Sequence, residues 1–232
     1  MRFAWPGGAF ALEAPGFALA AGETAFLHGP SGGGKSTLLN LICGAVRPQA
    51  GEGEIDGVAL GGLSAPARDR LRAERIGVVF QMFNLIPYLS GLQNILLALR
   101  FAPARRAACG DPRGEALALT DALGLPRAAV ERGAAAALST GQQQRVALAR
   151  AMIGAPPLIL ADEPTSALDD RSAGDFMERL FAQLGASGAA LLMVSHDRRL
   201  AARFDRAEAL EDVARAIRAD ETARAIRAGD AA

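Results

Sequence analysis

The sequence predicts an α/β fold: a parallel sheet buried on both faces and broken open by a helical insertion. Three observations predict it. A strand-length segment with an apolar centre stands at residues 24–28 and unbroken apolar runs stand at 158–161 and 191–194, and strands that read this way are those covered by helices on both sides. Helix-length segments follow the first run and separate the second from the third, the alternation that lays strands in parallel. From residue 81 to 150 the pattern is helical and alanine-rich, punctuated by Pro87, Pro103, Pro112 and Pro126, with no strand-like alternation. The core is thus interrupted and then resumed.

Taken in order, residues 24–28 read as a buried strand entering a glycine-rich turn. The following helix carries Leu38, Leu39, Leu41 and Ile42, and Gly44 is placed to stop it. Residues 51–62 are turn-rich and short-stranded. Ser64 then caps a charged helix, APARDRLRAER, that feeds a strand at 76–80. Its Arg68, Arg70, Arg72 and Arg75 read as a solvated face. Beyond the insertion, a helix around Ser172 to Leu184 joins the last two core strands. The tail repeats ARAIRA at 214–219 and 223–228, a period of nine, which is about 2.5 helical turns and sets the copies on opposite sides. A solvated helical tail over residues 211–232 is expected, after a main domain spanning residues 1–210.

Bulk properties exclude several classes. Half of the 232 residues are hydrophobic, enough for a core with a subdomain. Lys plus Arg number 25 and Asp plus Glu 25, so no global field draws the chain to nucleic acid or to an anionic bilayer. No stretch approaches the roughly 20 apolar residues of a spanning helix, and MRFAWPGG lacks the charged start and apolar core of a secretory signal. A cytoplasmic location is expected. Cys43 and Cys109 form no metal-like spacing, and Cys43 reads as a small core residue.

The chemistry begins at Gly29-Pro30-Ser31-Gly32-Gly33-Gly34-Lys35-Ser36-Thr37, which matches G-x-x-x-x-G-K-[ST] between a predicted strand and a predicted helix, the setting the motif requires. Glycines let the backbone curl so that its N–H groups converge on phosphate oxygens, and the helix adds its positive end. Lys35 is expected to meet the β- and γ-phosphates of ATP, and Ser36 to ligate Mg²⁺. A second site follows the strand at 158–161, which ends in Asp162 and Glu163. Ends of parallel strands are where such sheets keep their ligands. Asp162 is expected to hold Mg²⁺ through water and Glu163 to act as general base on the attacking water. Alone, an apolar strand capped by Asp-Glu is a common loop start; the phosphate loop gives it meaning.

Leu138-Ser139-Thr140-Gly141-Gln142-Gln143-Gln144-Arg145 resembles the LSGGQ signature of ABC-type ATPases, with Gln81, Ser166-Ala167-Leu168-Asp169 and His196 following the order of that family's Q-loop, D-loop and switch histidine. The resemblance runs from about Trp5 to Leu210. It implies a P-loop NTPase (RecA-like) core, an N-terminal antiparallel β subdomain, and an α-helical subdomain inserted at about residues 82–150. It also implies a homodimer with ATP buried between two chains, the signature of one facing the phosphate loop of the other. Ser139, Gly141 and Gln142 would then contact nucleotide, Gln81 would serve the metal and nucleotide, and His196 the γ-phosphate. Thr140 departs from the family's usual glycine. An aromatic stacked on adenine is implied too: Trp5 holds the corresponding place, with Phe3 and Phe10 as alternatives.

Residues 79–90, VFQMFNLIPYLS, and 200–205, LAARFD, are similar to the lipoprotein-release and macrolide-efflux (LolD/MacB-like) type. That similarity implies a separate FtsX/MacB-like membrane permease, to which the ATPase docks as a peripheral subunit on the cytoplasmic face of the inner membrane. Two other readings stay open at this point: an FtsE-like ATPase that regulates a membrane partner without transport, and a soluble ABC ATPase with no permease.

Overall fold

In the computed structural model, which describes residues 1–6, 10–30 and 32–218, the chain opens with the antiparallel pair β1 (Arg2–Ala4) and β2 (Phe10–Glu13). Next come β3 (Thr24–His28), buried along most of its length, and α1 (Lys35–Ile42). The helix ends as expected at Gly44, whose φ of 65° is a left-handed stop. A hairpin follows, β4 (Glu54–Ile55) and β5 (Val58–Ala59). Its two turn residues, Asp56 and Gly57, have φ of 49° and 75°, the Asp-Gly turn whose twist suits tight hairpins. Ser64 caps α2 (Ala65–Arg75) by accepting from Ala67 N, and the chain passes directly into β6 (Ile76–Val79).

The insertion then unfolds as α3 (Gly91–Arg100), α4 (Pro103–Ala108), α5 (Pro112–Ala122), α6 (Arg127–Arg132), a 3₁₀ turn at Ala135–Ala137 and α7 (Thr140–Met152). No strand interrupts residues 91–152. The core resumes with β7 (Leu158–Asp162), α8 (Asp170–Ser187), β8 (Ala190–Ser195) and β9 (Arg206–Ala209), followed by α9 (Leu210–Val213) and β10 (Arg215–Arg218).

Five strands form one parallel sheet in the order β6-β7-β8-β3-β9. Although about eighty residues separate them in sequence, β6 and β7 are neighbours, with Val79 opposite Ala161. The three central strands, β7, β8 and β3, each feed two cores by alternation. Phe26, Ile159, Leu191 and Met193 face the helical insertion and α8, while Leu27, Leu160, Leu192 and Val194 face α1 and the antiparallel sheet. Helix α7 is the seam: it packs on α3 and on β6. A Cβ at Gly77 would fall 2.1 Å from Ala151 O, so only glycine lets the helix lie this close.

The antiparallel sheet runs β1-β2-β10, so the expected N-terminal subdomain is completed by a strand from the far end of the chain. This corrects the expectation of a helical tail for its first repeat. Arg215–Arg218 pairs with β2, Arg215 opposite Glu13, and Glu13 accepts from both Arg2 at 2.8 Å and Arg215 at 2.7 Å. A short alanine-arginine run forms only a marginal helix by itself, and a free strand edge with a carboxylate in register outweighs it. Residues 219–232, with the second repeat, lie outside the described residues. Among the described residues no helix is long and apolar enough to cross a membrane.

Candidate active site

Because the core strands are parallel, β3, β7 and β8 deliver their carboxyl ends to one edge of the sheet. The phosphate loop leaves β3 there. Gly32 and Gly34 take left-handed φ of 77° and 100°, and a Cβ on Gly33 would press Pro30 O at 3.1 Å, so the glycines are conformational requirements. Ser31 lies outside the described residues. No side chain caps the start of α1, which leaves its first amides aimed at the loop for an anion. Lys35 turns inward and is nearly buried. Its Nζ donates to Gly29 O at 2.8 Å and Pro30 O at 3.1 Å, and pairs with Glu163 Oε1 at 3.2 Å.

Ser36 Oγ donates to Asp162 Oδ2 at 2.7 Å, bringing a hydroxyl and a carboxylate together at the end of β7. Two hard oxygen donors side by side suit Mg²⁺, which takes few protein ligands and completes its shell with water and phosphate. Burial raises the Asp162 carboxyl above its ordinary range; the Ser36 bond opposes this, and the neighbouring Glu163 charge adds to it.

Glu163 is the most constrained residue of the site. Its φ of 47° is left-handed, a conformation that costs a non-glycine residue roughly 1–2 kcal/mol. The backbone holds it there: Glu163 N donates to Val194 O at 2.9 Å, and its carbonyl accepts from Ser166 N at 3.1 Å and Ser166 Oγ at 2.9 Å. The carboxylate is buried. Oε1 faces Lys35, and Oε2 accepts from Ser195 Oγ at 3.1 Å and His196 N at 3.3 Å, with His196 Nδ1 at 2.7 Å. An ionised carboxylate only accepts, so Nδ1 carries the proton and Nε2 is left to face outward. Burial works to raise this carboxyl, but the bonds from Lys35, His196 and Ser195 outweigh it and hold it below its ordinary range.

The sequence-predicted residues Lys35, Ser36, Asp162, Glu163 and His196 therefore form one connected cluster. Trp5 stands beside it, donating through Nε1 to Thr37 Oγ1 at 3.3 Å, with its ring edge-on to Phe3 and 42% exposed. Phe3 itself is buried in the core. Gln81 lies two residues past the end of β6, exposed at the same sheet edge. Ser139 and Gln142 cap α7 reciprocally: Ser139 Oγ accepts from Gln142 N at 3.3 Å, and Gln142 Oε1 from Ser139 N at 2.9 Å. Thr140 is exposed at the first position of the helix, and Gly141 follows with ordinary room around it. Among the described residues, no hydrogen bond joins Ser139, Gly141 or Gln142 to the phosphate loop of the same chain. Ser195 is the member of the cluster that sequence reasoning missed. A buried hydroxyl ending the apolar run of β8, directly before His196, was the available signal.

Comparison with known proteins agrees with this geometry. Residues 12–166 match the family described as ABC transporter. The lipoprotein-releasing system ATP-binding protein LolD of Hydrogenovibrio crunogenus is 40% identical over 82% of this chain and 80% of its own length. The uncharacterized ABC transporter ATP-binding protein YbbA of Escherichia coli K12 is 43% identical over 80% of this chain and 79% of its own. Among solved structures, the dimeric bacterial ABC transporter cassette MJ0796 superposes with a TM-score of 0.73 at 36% identity, covering 84% of this chain and 83% of that one. A post-hydrolysis state of MJ0796 bound to ADP and Pi matches equally well, with a TM-score of 0.73 at 37% identity over 84% of each chain. With phosphate loop, acidic strand end and histidine in one cluster, and with relatives matched over most of their length, the chain belongs to the ABC transporter family as an ATP-binding and ATP-hydrolysing subunit.

Proposed function

We propose that two copies of this chain close around two ATP molecules and that Glu163 is the general base of hydrolysis in each site. The observation that carries the proposal is Glu163 itself, clamped at both carboxylate oxygens between Lys35 and the Ser195–His196 pair. Incoming phosphates draw Lys35 off Oε1, because a triphosphate outcompetes a single carboxylate for the ammonium. Losing that partner makes Glu163 more basic and exposes one oxygen to a water. The water's proton passes to Oε1 as its oxygen attacks the γ-phosphorus; ADP leaves and inorganic phosphate forms. Ser195 and His196 keep Oε2 fixed throughout, and an imidazole that takes up a second proton at Nε2 would donate from there to the γ-phosphate. Ser36 and Asp162, with Gln81, would hold Mg²⁺, which when bound supplies positive charge to the phosphate oxygens. Trp5 stacks on adenine beside the loop, and Ser139, Gly141 and Gln142 present the start of α7 to the partner's γ-phosphate.

The dimeric MJ0796 cassette supports the paired arrangement. The LolD relatives, named for a lipoprotein-releasing system, support reading the dimer as the motor of a membrane permease of the FtsX/MacB-like class, at whose cytoplasmic face the chain would then dock. The decisive experiment is Glu163→Gln: ATP turnover falls by roughly a hundredfold or more, ATP stays bound, and a dimer accumulates with ATP but not with ADP. Turnover at the wild-type rate would remove Glu163 from the role of base.

A further inference from the structure

The segment after Gln81 runs in a conformation that side chains resist. Phe83 and Asn84 are consecutive non-glycine residues with left-handed φ of 58° and 49°, where Cβ crowds the backbone. Both of their carbonyls are taken by one side chain. The guanidinium of Arg150 donates through Nη2 to Phe83 O at 2.6 Å and through Nη1 to Asn84 O at 2.5 Å. Arg150 belongs to α7, the helix that Ser139 caps. It is partly buried, and burial alone pulls its basicity down, with no carboxylate contributing. A planar fork of N–H donors matches two adjacent carbonyls in a way that an ammonium does not. The rest of the segment is tied to the same body. Fully buried Asn94 accepts from Ile86 N at 2.8 Å and donates to Ile86 O at 3.1 Å and Ser90 O at 3.0 Å. Ala135 N donates to Leu89 O at 2.7 Å, four residues before Ser139.

We propose that Arg150 is a positioning residue that fixes the segment following Gln81 to the signature helix, so that Gln81 in its own site and Ser139 in the partner's site are presented as one rigid piece. The proposal rests on the two-site reading above. Without the fork, Phe83 and Asn84 relax out of the left-handed region, and Gln81 and Ser139 lose their fixed spacing. Removing the backbone cost by another route should therefore compensate.

The test uses the full chain with Arg150→Met, Arg150→Lys, and each of these combined with Asn84→Gly, on wild-type and Glu163→Gln backgrounds. Fluorescent ADP reads the phosphate loop, light scattering with ATP reads dimer closure, and steady-state kinetics read turnover. Arg150→Met should bind ADP within about twofold of wild type, lose about tenfold or more in kcat, and in the Glu163→Gln background fail to dimerise with ATP. Arg150→Lys should fall between the two, and Asn84→Gly should recover about threefold or more of either loss. Wild-type kcat and dimerisation in Arg150→Met would overturn the proposal, as would a loss that glycine at position 84 does not relieve. If Arg150→Met fails to fold, Arg150→Lys decides alone: wild-type behaviour overturns the proposal, and a loss relieved by Asn84→Gly sustains it. A wild-type chain that neither hydrolyses ATP nor dimerises as Glu163→Gln would instead bring down the two-site reading and this proposal with it. Active wild type beside an indifferent Arg150→Met overturns this proposal only.

Discussion

At the scale of single residues, a few polar side chains fix where the sheet ends and the site begins. Asp205 is one outside the cluster. Its Oδ2 accepts from Thr24 N at 2.9 Å and Thr24 Oγ1 at 2.8 Å, and Asp205 N donates back to Thr24 Oγ1 at 3.0 Å, joining the starts of β3 and β9. The Thr24 backbone and side-chain bonds hold the Asp205 carboxyl below its ordinary range. A carboxyl so lowered adds stability above the unfolded value, about 3.9, and loses it as pH falls through the folded value. Thermal midpoints measured from pH 6 down to pH 3 should therefore drop less steeply for Asp205→Asn than for wild type; parallel curves would show that the bond carries no titrating stability. The reactive residues were legible in advance because each sat in a patterned context: Lys35 and Ser36 in a spaced motif, Asp162 and Glu163 at the end of an apolar run. Ser195 and Arg150 were not, because a lone serine or arginine gains its role only from neighbours distant in sequence.

At the scale of elements, α7 is the piece on which the insertion is mounted. Its C-terminal end lies against Gly77 of β6, and Arg105 of α4 reaches under it, donating through Nε to Ile153 O at 3.2 Å and through Nη1 to Ala73 O at 2.9 Å. This buried guanidinium takes up Ile153 O just past α7 and Ala73 O in the last turn of α2, carbonyls of the kind that helix ends leave over. Placing a methyl where Ala151 O stands allows no rotamer escape, so Gly77→Ala should destabilise the chain by about 3 kcal/mol or more, read as a lowered denaturation midpoint. A change under about 0.5 kcal/mol would mean that helix and strand separate freely there. Elements announced by local chemistry were readable: Ser64 as a cap, Gly44 as a stop, and the insertion from its loss of alternation. β10 was not, since the partner that makes it a strand, the open edge of β2, is some two hundred residues away.

At the scale of the whole molecule, parallel order was predictable from the apolar runs, but strand neighbours were not, because sequence pattern carries no information on which edge a strand joins. The sheet settles this in a particular way. β3, the strand that carries the phosphate loop, lies between β8 and β9, with Thr24 opposite Leu191 and Ala25 opposite Arg206. During synthesis, at about 5–20 residues per second, this strand leaves the ribosome roughly ten to thirty seconds before either flank exists. Throughout that interval a greasy segment and its glycine hinge stand bare, exposed to chaperones and proteases. Stalled nascent chains should stay cleavable near Phe26 until β8 has cleared the exit tunnel, and resist abruptly thereafter; early protection would point to a provisional partner. The nucleotide pocket is in this sense completed only after most of the chain has been made, though its most recognisable letters are translated among the first.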